Sequence, residues 1–180
     1  GIMADTITQE PVSFPSTDAE TTIHGYIWRD EGCASPRGII QVAHGMAEHI
    51  ERYDDFARFL ASKGFIVGGY DHLAHGESVS QSTSWGELDP RNGANHLIED
   101  VHRMRSYMLA HTPAGLPYFV FGHSMGSYIM RDYIARHGDG LAGAILCGTG
   151  YVAPIVSKAG NMLSRAIAAI RGKGYEQGHR

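Results

Sequence analysis

Four short apolar runs constrain this chain more than any other feature: Gly38–Ala43, Phe65–Tyr70, 118–121 and 141–147. Each is nearly continuous rather than alternating, as in a strand buried on both faces, and each ends at a glycine or a polar turn. Between them the period changes. Tyr53, Phe56, Phe59 and Leu60 recur at helical spacing before Gly64. Leu97, Ile98, Val101, Met104 and Met108 form one helical stripe before Thr112-Pro113, and Met125–His137 reads as a helix that stops at Gly138. Strands alternating with helices in this way predict βαβ units, hence an α/β fold whose mostly parallel sheet carries helices on both faces.

Two β-rich stretches come first, 6–14 and 21–28, and Pro11 inside the first demotes it to an edge strand of an antiparallel opening pair. At the other end Ile155, Met162, Leu163, Ala166, Ile167 and Ile170 are helically spaced. Gly1 and Ile2 precede Met3 and read as the remnant of a removed tag. The expected organisation is therefore a core over 3–153 and a separate segment over 154–180. Fifteen Lys and Arg against 19 Asp and Glu give a net charge of −4, so no overall field favours nucleic acid or an anionic membrane. Two cysteines, Cys33 and Cys147, make no disulfide framework, which suits a reducing, cytoplasmic setting.

Chemistry enters at Gly122-His-Ser-Met-Gly126, which lies directly between a predicted strand and a predicted helix. That context is what a nucleophile elbow requires. So tight a turn needs small residues on either side of the serine, because a Cβ there would collide with neighbouring backbone. Ser124 is thereby lifted off the sheet at a helix N-terminus, where the Met125 N–H faces the oxygen that becomes anionic during acyl transfer. The plainer alternative is a serine that merely caps a helix.

His44-Gly-Met-Ala-Glu-His49 follows the first buried strand, where such a sheet places a second oxyanion donor; the Met46 N–H is the candidate. Here a metal site is the competing reading, since His44, His49, His72 and His75 supply imidazoles, but neither H-E-x-x-H nor Cys/His ligand spacing occurs. No metal and no cofactor is called for. In Asp71-His-Leu-Ala-His-Gly-Glu-Ser78 the two histidines and Asp71 read as loop-shaping groups rather than catalytic ones.

The stretches His44-Gly-Met-Ala-Glu-His49 with Arg52-Tyr53, Gly64-Phe65, 71–78, and Gly122-His-Ser-Met-Gly126 with Tyr133 occur in an order and spacing that resemble an α/β-hydrolase. The similarity is to the monoacylglycerol lipase and lysophospholipase type, grouped with serine aminopeptidase-like hydrolases, and it spans about residues 20 to 150. It implies Ser124 as nucleophile, the N–H groups of Met46 and Met125 as oxyanion hole, and a lid inserted after the strand ending near Cys147. The segment 154–180 would then begin the lid, with its apolar stripe on an acyl chain or a membrane surface. Ala74 and Ser127 stand where such proteins usually carry glycine.

One expectation of the family is not met within the chain. The order in this fold is Ser, then Asp or Glu, then His. After Ser124 the acids are Asp132, Asp139 and Glu176 and the imidazoles His137 and His179. His137 lies thirteen residues along a helix from Ser124, roughly 20 Å at 1.5 Å per residue, whereas a base must come within about 3 Å. His179 follows a glycine-broken stretch with no strand to position it. The expectation is an N-terminal piece of a serine hydrolase acting on lipid esters, inactive alone, completed by a C-terminal part. The rivals are another acyl chemistry, such as thioester or amide hydrolysis, or a non-catalytic lipid-binding or partner-binding fragment that associates through its open sheet edge into a homo-oligomer.

Overall fold

A computed structural model describes residues 6–46, 48–73, 75–76, 78 and 93–148, and the backbone of 151–156. Seven strands form one sheet: β1 (Ile7–Pro15), β2 (Thr22–Asp30), β3 (Gly38–Ala43), β4 (Phe65–Tyr70), β5 (Tyr118–His123), β6 (Gly143–Gly148) and β7 (Tyr151–Val156). Their order across the sheet is β1-β2-β4-β3-β5-β6-β7. The apolar runs are its parallel centre: β4, β3, β5 and β6 pair in parallel, while β1 and β2 on one side and β7 on the other are antiparallel. Pro11 sits in the edge strand β1, where a missing ladder donor does least harm.

Alternation along the central strands divides the core into two. Ile40 and Val42 of β3 with Phe119 and Phe121 of β5 meet helix α1 (Asp54–Ser62) through Phe56, Ala57, Leu60 and Ala61. Ile39 and Ala43 with Val120 face the other way, onto α2 (Gly93–Ala110) and α3 (Met125–His137). All five residues of the predicted α2 stripe are buried, and Val101, Met104 and Met108 completely so. Burying one such side chain stabilises by about 2 kcal/mol, which is why the stripe decides which side of the helix meets the sheet. Gly64, at φ +94°, turns the chain out of α1 into β4 in the left-handed region that glycine tolerates.

The polar residue of the β3 run, Gln41, faces α2 without being orphaned. Its Nε2–H donates to the Val101 carbonyl at 3.1 Å, and the Tyr118 hydroxyl donates to its Oε1. Among the described residues no helix is long and apolar enough to cross a membrane. One residue of the helically spaced set is placed in a strand by the register. Spacing groups Ile155 with Met162 to Ile170, but it lies in β7 opposite Ala144 of β6. A strand with its own apolar residues cannot be told from a short helical stripe by periodicity alone, and pairing with β6 decides it. The rest of the expected lid, 157–180, lies outside the described residues.

Candidate active site

The loops that follow β3, β4 and β5 gather at the carboxyl edge of the parallel strands, the edge on which open α/β sheets bind ligands. Ser124 occupies the turn between β5 and α3 with φ 56° and ψ −120°, an uncommon conformation for a residue with a side chain. The surroundings hold it there. A Cβ on Gly122 would lie 2.4 Å from the Gly126 carbonyl oxygen, and one on Gly126 would lie 2.2 Å from the Ala43 carbonyl oxygen. Both obstacles are backbone and cannot swing aside. The Ser124 N–H donates to the Cys147 carbonyl at 2.8 Å, tying the turn to the end of β6, and its carbonyl accepts from the Ser127 N–H at 2.9 Å and hydroxyl at 2.6 Å. The hydroxyl bond is one that a glycine at 127 would lack.

The Ser124 side chain itself is half-buried, caps no N–H of α3, and makes no hydrogen bond among the described residues. The Met125 N–H opens α3, where the first N–H groups have no intrahelical acceptor. A strained serine with a free hydroxyl at a helix N-terminus is suited to attack a carbonyl and to leave a main-chain donor for the resulting anion.

The loop after β3 passes close by: a Cβ built on Gly45 would be 3.3 Å from the Ser124 Cβ. Met46 carries its side chain 69% exposed, and its N–H has no acceptor among the described residues. The carbonyls of residues 44 and 45, the Gly45 N–H and both His44 ring nitrogens are all engaged. Glu48 Oε1 accepts from the Gly45 N–H at 2.7 Å and from the Tyr53 hydroxyl at 3.1 Å, while Oε2 lies 3.3 Å from Arg52 Nε. His123 Nδ1 stands 3.5 Å from the same Oε1, so this carboxylate spans from the β3 loop to the residue before Ser124. Burial raises the Glu48 carboxyl, but the His123 ring, the Gly45 N–H and the Tyr53 hydroxyl together outweigh it and hold the group at about 2.

Behind this loop His44, His72 and His75 pack ring against ring, with centroids 4.1 Å apart for the first pair and 5.5 Å for His44 and His75. Four of their six ring nitrogens are bound to backbone, and His72 Nδ1 is buried without a partner among the described residues. His44 Nδ1–H donates to the Gly45 carbonyl, His44 Nε2 accepts from the His72 N–H, His72 Nε2–H donates to the His44 carbonyl, and His75 Nδ1–H donates to the Leu73 carbonyl. Burial pushes His44 down to about 4 and His72 well below the usual imidazole range. Asp71 anchors the same region by accepting from the Ile50 N–H at 2.7 Å. His137 is far from this chemistry, pinned between α2 and α3 by Glu99 at 3.1 Å and stacked on His102. His49 is exposed, and His179 and Glu176 lie outside the described residues.

Glu48 is the site residue that sequence reasoning missed. The signal was a carboxylate three residues after a glycine in a loop, a spacing that lets an acid bond a backbone N–H just upstream; only the fold shows that Tyr53 and His123 share it.

The fold and this turn define an α/β-hydrolase. Residues 34–179 match the family described as "Serine aminopeptidase, S33", and the chain belongs to it. The chain is 31% identical over 125 residues to a monoglyceride lipase of Homo sapiens, covering 66% of this chain and 36% of that protein. It is likewise 31% identical to a monoacylglycerol lipase of Mycolicibacterium smegmatis, covering 68% of this chain and 40% of that one. Among solved structures, a thermostable carboxyl esterase from Bacillus coagulans in complex with glycerol superposes with a TM-score of 0.68 at 39% identity, covering 81% of this chain and 44% of the esterase. The matched part of the chain spans between 36% and 44% of the length of these relatives.

Proposed function

We propose that Ser124 is the nucleophile of a serine hydrolase that cleaves carboxylic esters of lipids, monoacylglycerols or lysophospholipids, in a protein of which this chain forms the nucleophile-bearing part. The Ser124 Oγ attacks the ester carbonyl carbon as its proton passes to a base. The oxyanion accepts hydrogen bonds from the Met46 and Met125 N–H groups. Collapse expels the alcohol, which takes up that proton, and leaves an acyl-enzyme that water then hydrolyses. The observation that carries this reading is the strained Ser124 backbone between two glycines whose positions leave no room for a Cβ, with its hydroxyl unengaged among the described residues.

No imidazole among the described residues accepts from that hydroxyl, so we place the base and its acid partner outside them. Without both, the oxyanion donors and binding sustain at most about 10³ to 10⁴ over water, the level left in serine proteases stripped of their triads. The monoglyceride lipases and carboxyl esterase among the relatives favour a lipid ester over a thioester or amide. Two cysteines that make no disulfide framework suit a cytoplasmic protein, and the apolar residues of 157–180 would meet an acyl chain or a membrane surface. The test is labelling with a fluorophosphonate and peptide mapping, alongside an ester panel on the complete protein. We expect the label on Ser124, none on the Ser124→Ala variant, and monoacyl ester turnover by the complete protein; rapid labelling of the alanine variant would end the assignment.

A further inference from the structure

We propose that His44 is a positioning residue: a neutral imidazole protonated on Nδ1 that aims the Met46 N–H by holding the carbonyl at the other end of the same peptide group. This rests on the hydrolase reading only for what the N–H is used for; the aiming itself follows from backbone geometry.

A trans peptide is planar, with its C=O and N–H pointing in opposite directions. The Gly45 carbonyl and the Met46 N–H belong to one such plane, so fixing the carbonyl fixes the N–H. The carbonyl is held twice, by His44 Nδ1–H at 2.7 Å and by the Glu48 N–H at 3.3 Å. The preceding plane is held at both ends, its carbonyl by His72 Nε2–H at 3.0 Å and its N–H by Glu48 Oε1 at 2.7 Å. Of the four polar groups in these two planes, the Met46 N–H is the one left without an acceptor among the described residues. Glycine at 45 would otherwise let this peptide rotate at little cost.

The ring can do this in one tautomer only. Its Nε2 accepts from the His72 N–H at 2.9 Å and so carries no proton, which leaves the proton on Nδ1, where the Gly45 carbonyl needs it. His44 is fully buried. The charged and titratable groups facing it are His72 and His75 from the loop after β4, Asp71 at the start of that loop, and Glu48 from its own loop. Burial, opposed in part by the Gly45 bond, keeps the ring neutral down to about pH 4. A proton added at Nε2 would confront the His72 N–H and release the clamp.

The test is nuclear magnetic resonance on the isotopically labelled full chain. Long-range nitrogen–proton correlations near pH 7 should report His44 protonated on Nδ1. The Met46 amide resonance should move in His44→Phe and stay in His44→Asn, whose side-chain N–H can replace the Nδ1 donor. A ring protonated on Nε2, or a Met46 amide unmoved in His44→Phe, would overturn the inference; should His44→Phe fail to fold, the ring tautomer and His44→Asn still decide. In parallel, fluorophosphonate labelling of the complete protein should slow about tenfold in His44→Phe and by less than about threefold in His44→Asn, since a misaimed oxyanion donor loses part of what a deleted one would. Absence of labelling in the unsubstituted complete protein would count against the hydrolase reading alone, leaving the tautomer and the amide resonance to judge His44.

Discussion

Two polar networks in this molecule do opposite work. At the carboxyl edge of the sheet His44, His72 and Asp71 bond backbone N–H and carbonyl groups, and Glu48 holds the Gly45 N–H along with its side-chain partners Tyr53, Arg52 and His123. In the seam between α2 and α3, side chains bond one another: His102 Nδ1 lies 2.8 Å from the Tyr133 hydroxyl, Arg105 reaches it at 3.1 Å, and Glu99 joins Arg136 and His137, while Arg105 also donates to the His137 and Asp139 carbonyls at the end of α3. A side chain that grips backbone dictates where a peptide group points. One that grips another side chain holds two elements together and leaves peptide directions to the helix. The first arrangement suits a site that uses main-chain donors; the second is a clasp.

Substitutions can break this contrast, most severely at the elbow. Gly126→Ala puts a Cβ 2.2 Å from the Ala43 carbonyl oxygen and 2.7 Å from that of His44, so β3 and α3 must separate. A loss on the order of 3 kcal/mol or more is expected in urea unfolding, and an unchanged midpoint would show that the turn is not packed as described. Next comes Glu48. Glu48→Ala leaves the Gly45 N–H without its acceptor and His123 without its carboxylate, and should cost about 2 kcal/mol, whereas Glu48→Gln, which keeps an acceptor oxygen, should cost about half that. Equal losses in the two variants would mean that the carboxylate acts through charge rather than through the N–H bond.

Acid sharpens the comparison. His44 is held at about 4 against 6.5 for the unperturbed ring, so the unfolded chain binds a proton that the folded one refuses. Its contribution is complete above pH 6.5 and is lost as the pH falls toward 4, amounting to roughly 3 kcal/mol. Glu48, at about 2 against 4.5, contributes fully above pH 4.5 and loses that contribution as the pH falls toward 2. Stability measured from pH 7 downward should decline in two stages, and His44→Asn should shrink the first, leaving the part due to His72, whose ring burial also holds below the usual imidazole range. The smallest effect belongs to the clasp: His137→Ala, whose ring and Glu99 partner are both partly exposed, should cost less than about 1 kcal/mol and leave Ser124 labelling untouched.

Much of this was legible before folding, for identifiable reasons. The β3, β4, β5 and β6 runs and the stripe from Leu97 to Met108 declared themselves because burial imposes a period on sequence. Ser124 and its two glycines were legible because steric exclusion in a tight turn leaves few residue types to choose from. Ile155 misled because a six-residue strand is too short for its period to be told from a helical one. Glu48 and His44 were in plain view within one motif, yet their partners, His123 and His72, lie 75 and 28 residues away in sequence.

Local chemistry alone, then, determined the alternation of strands and helices and the place of the tight turn at Ser124, because each depends on neighbours along the chain. Tertiary structure alone decided that β7 folds back on β6, that four imidazole nitrogens serve the backbone, and that one carboxylate joins two loops. Those depend on which segments the sheet brings side by side, and hydrogen bonds between distant loops leave no periodic trace in the order of residues.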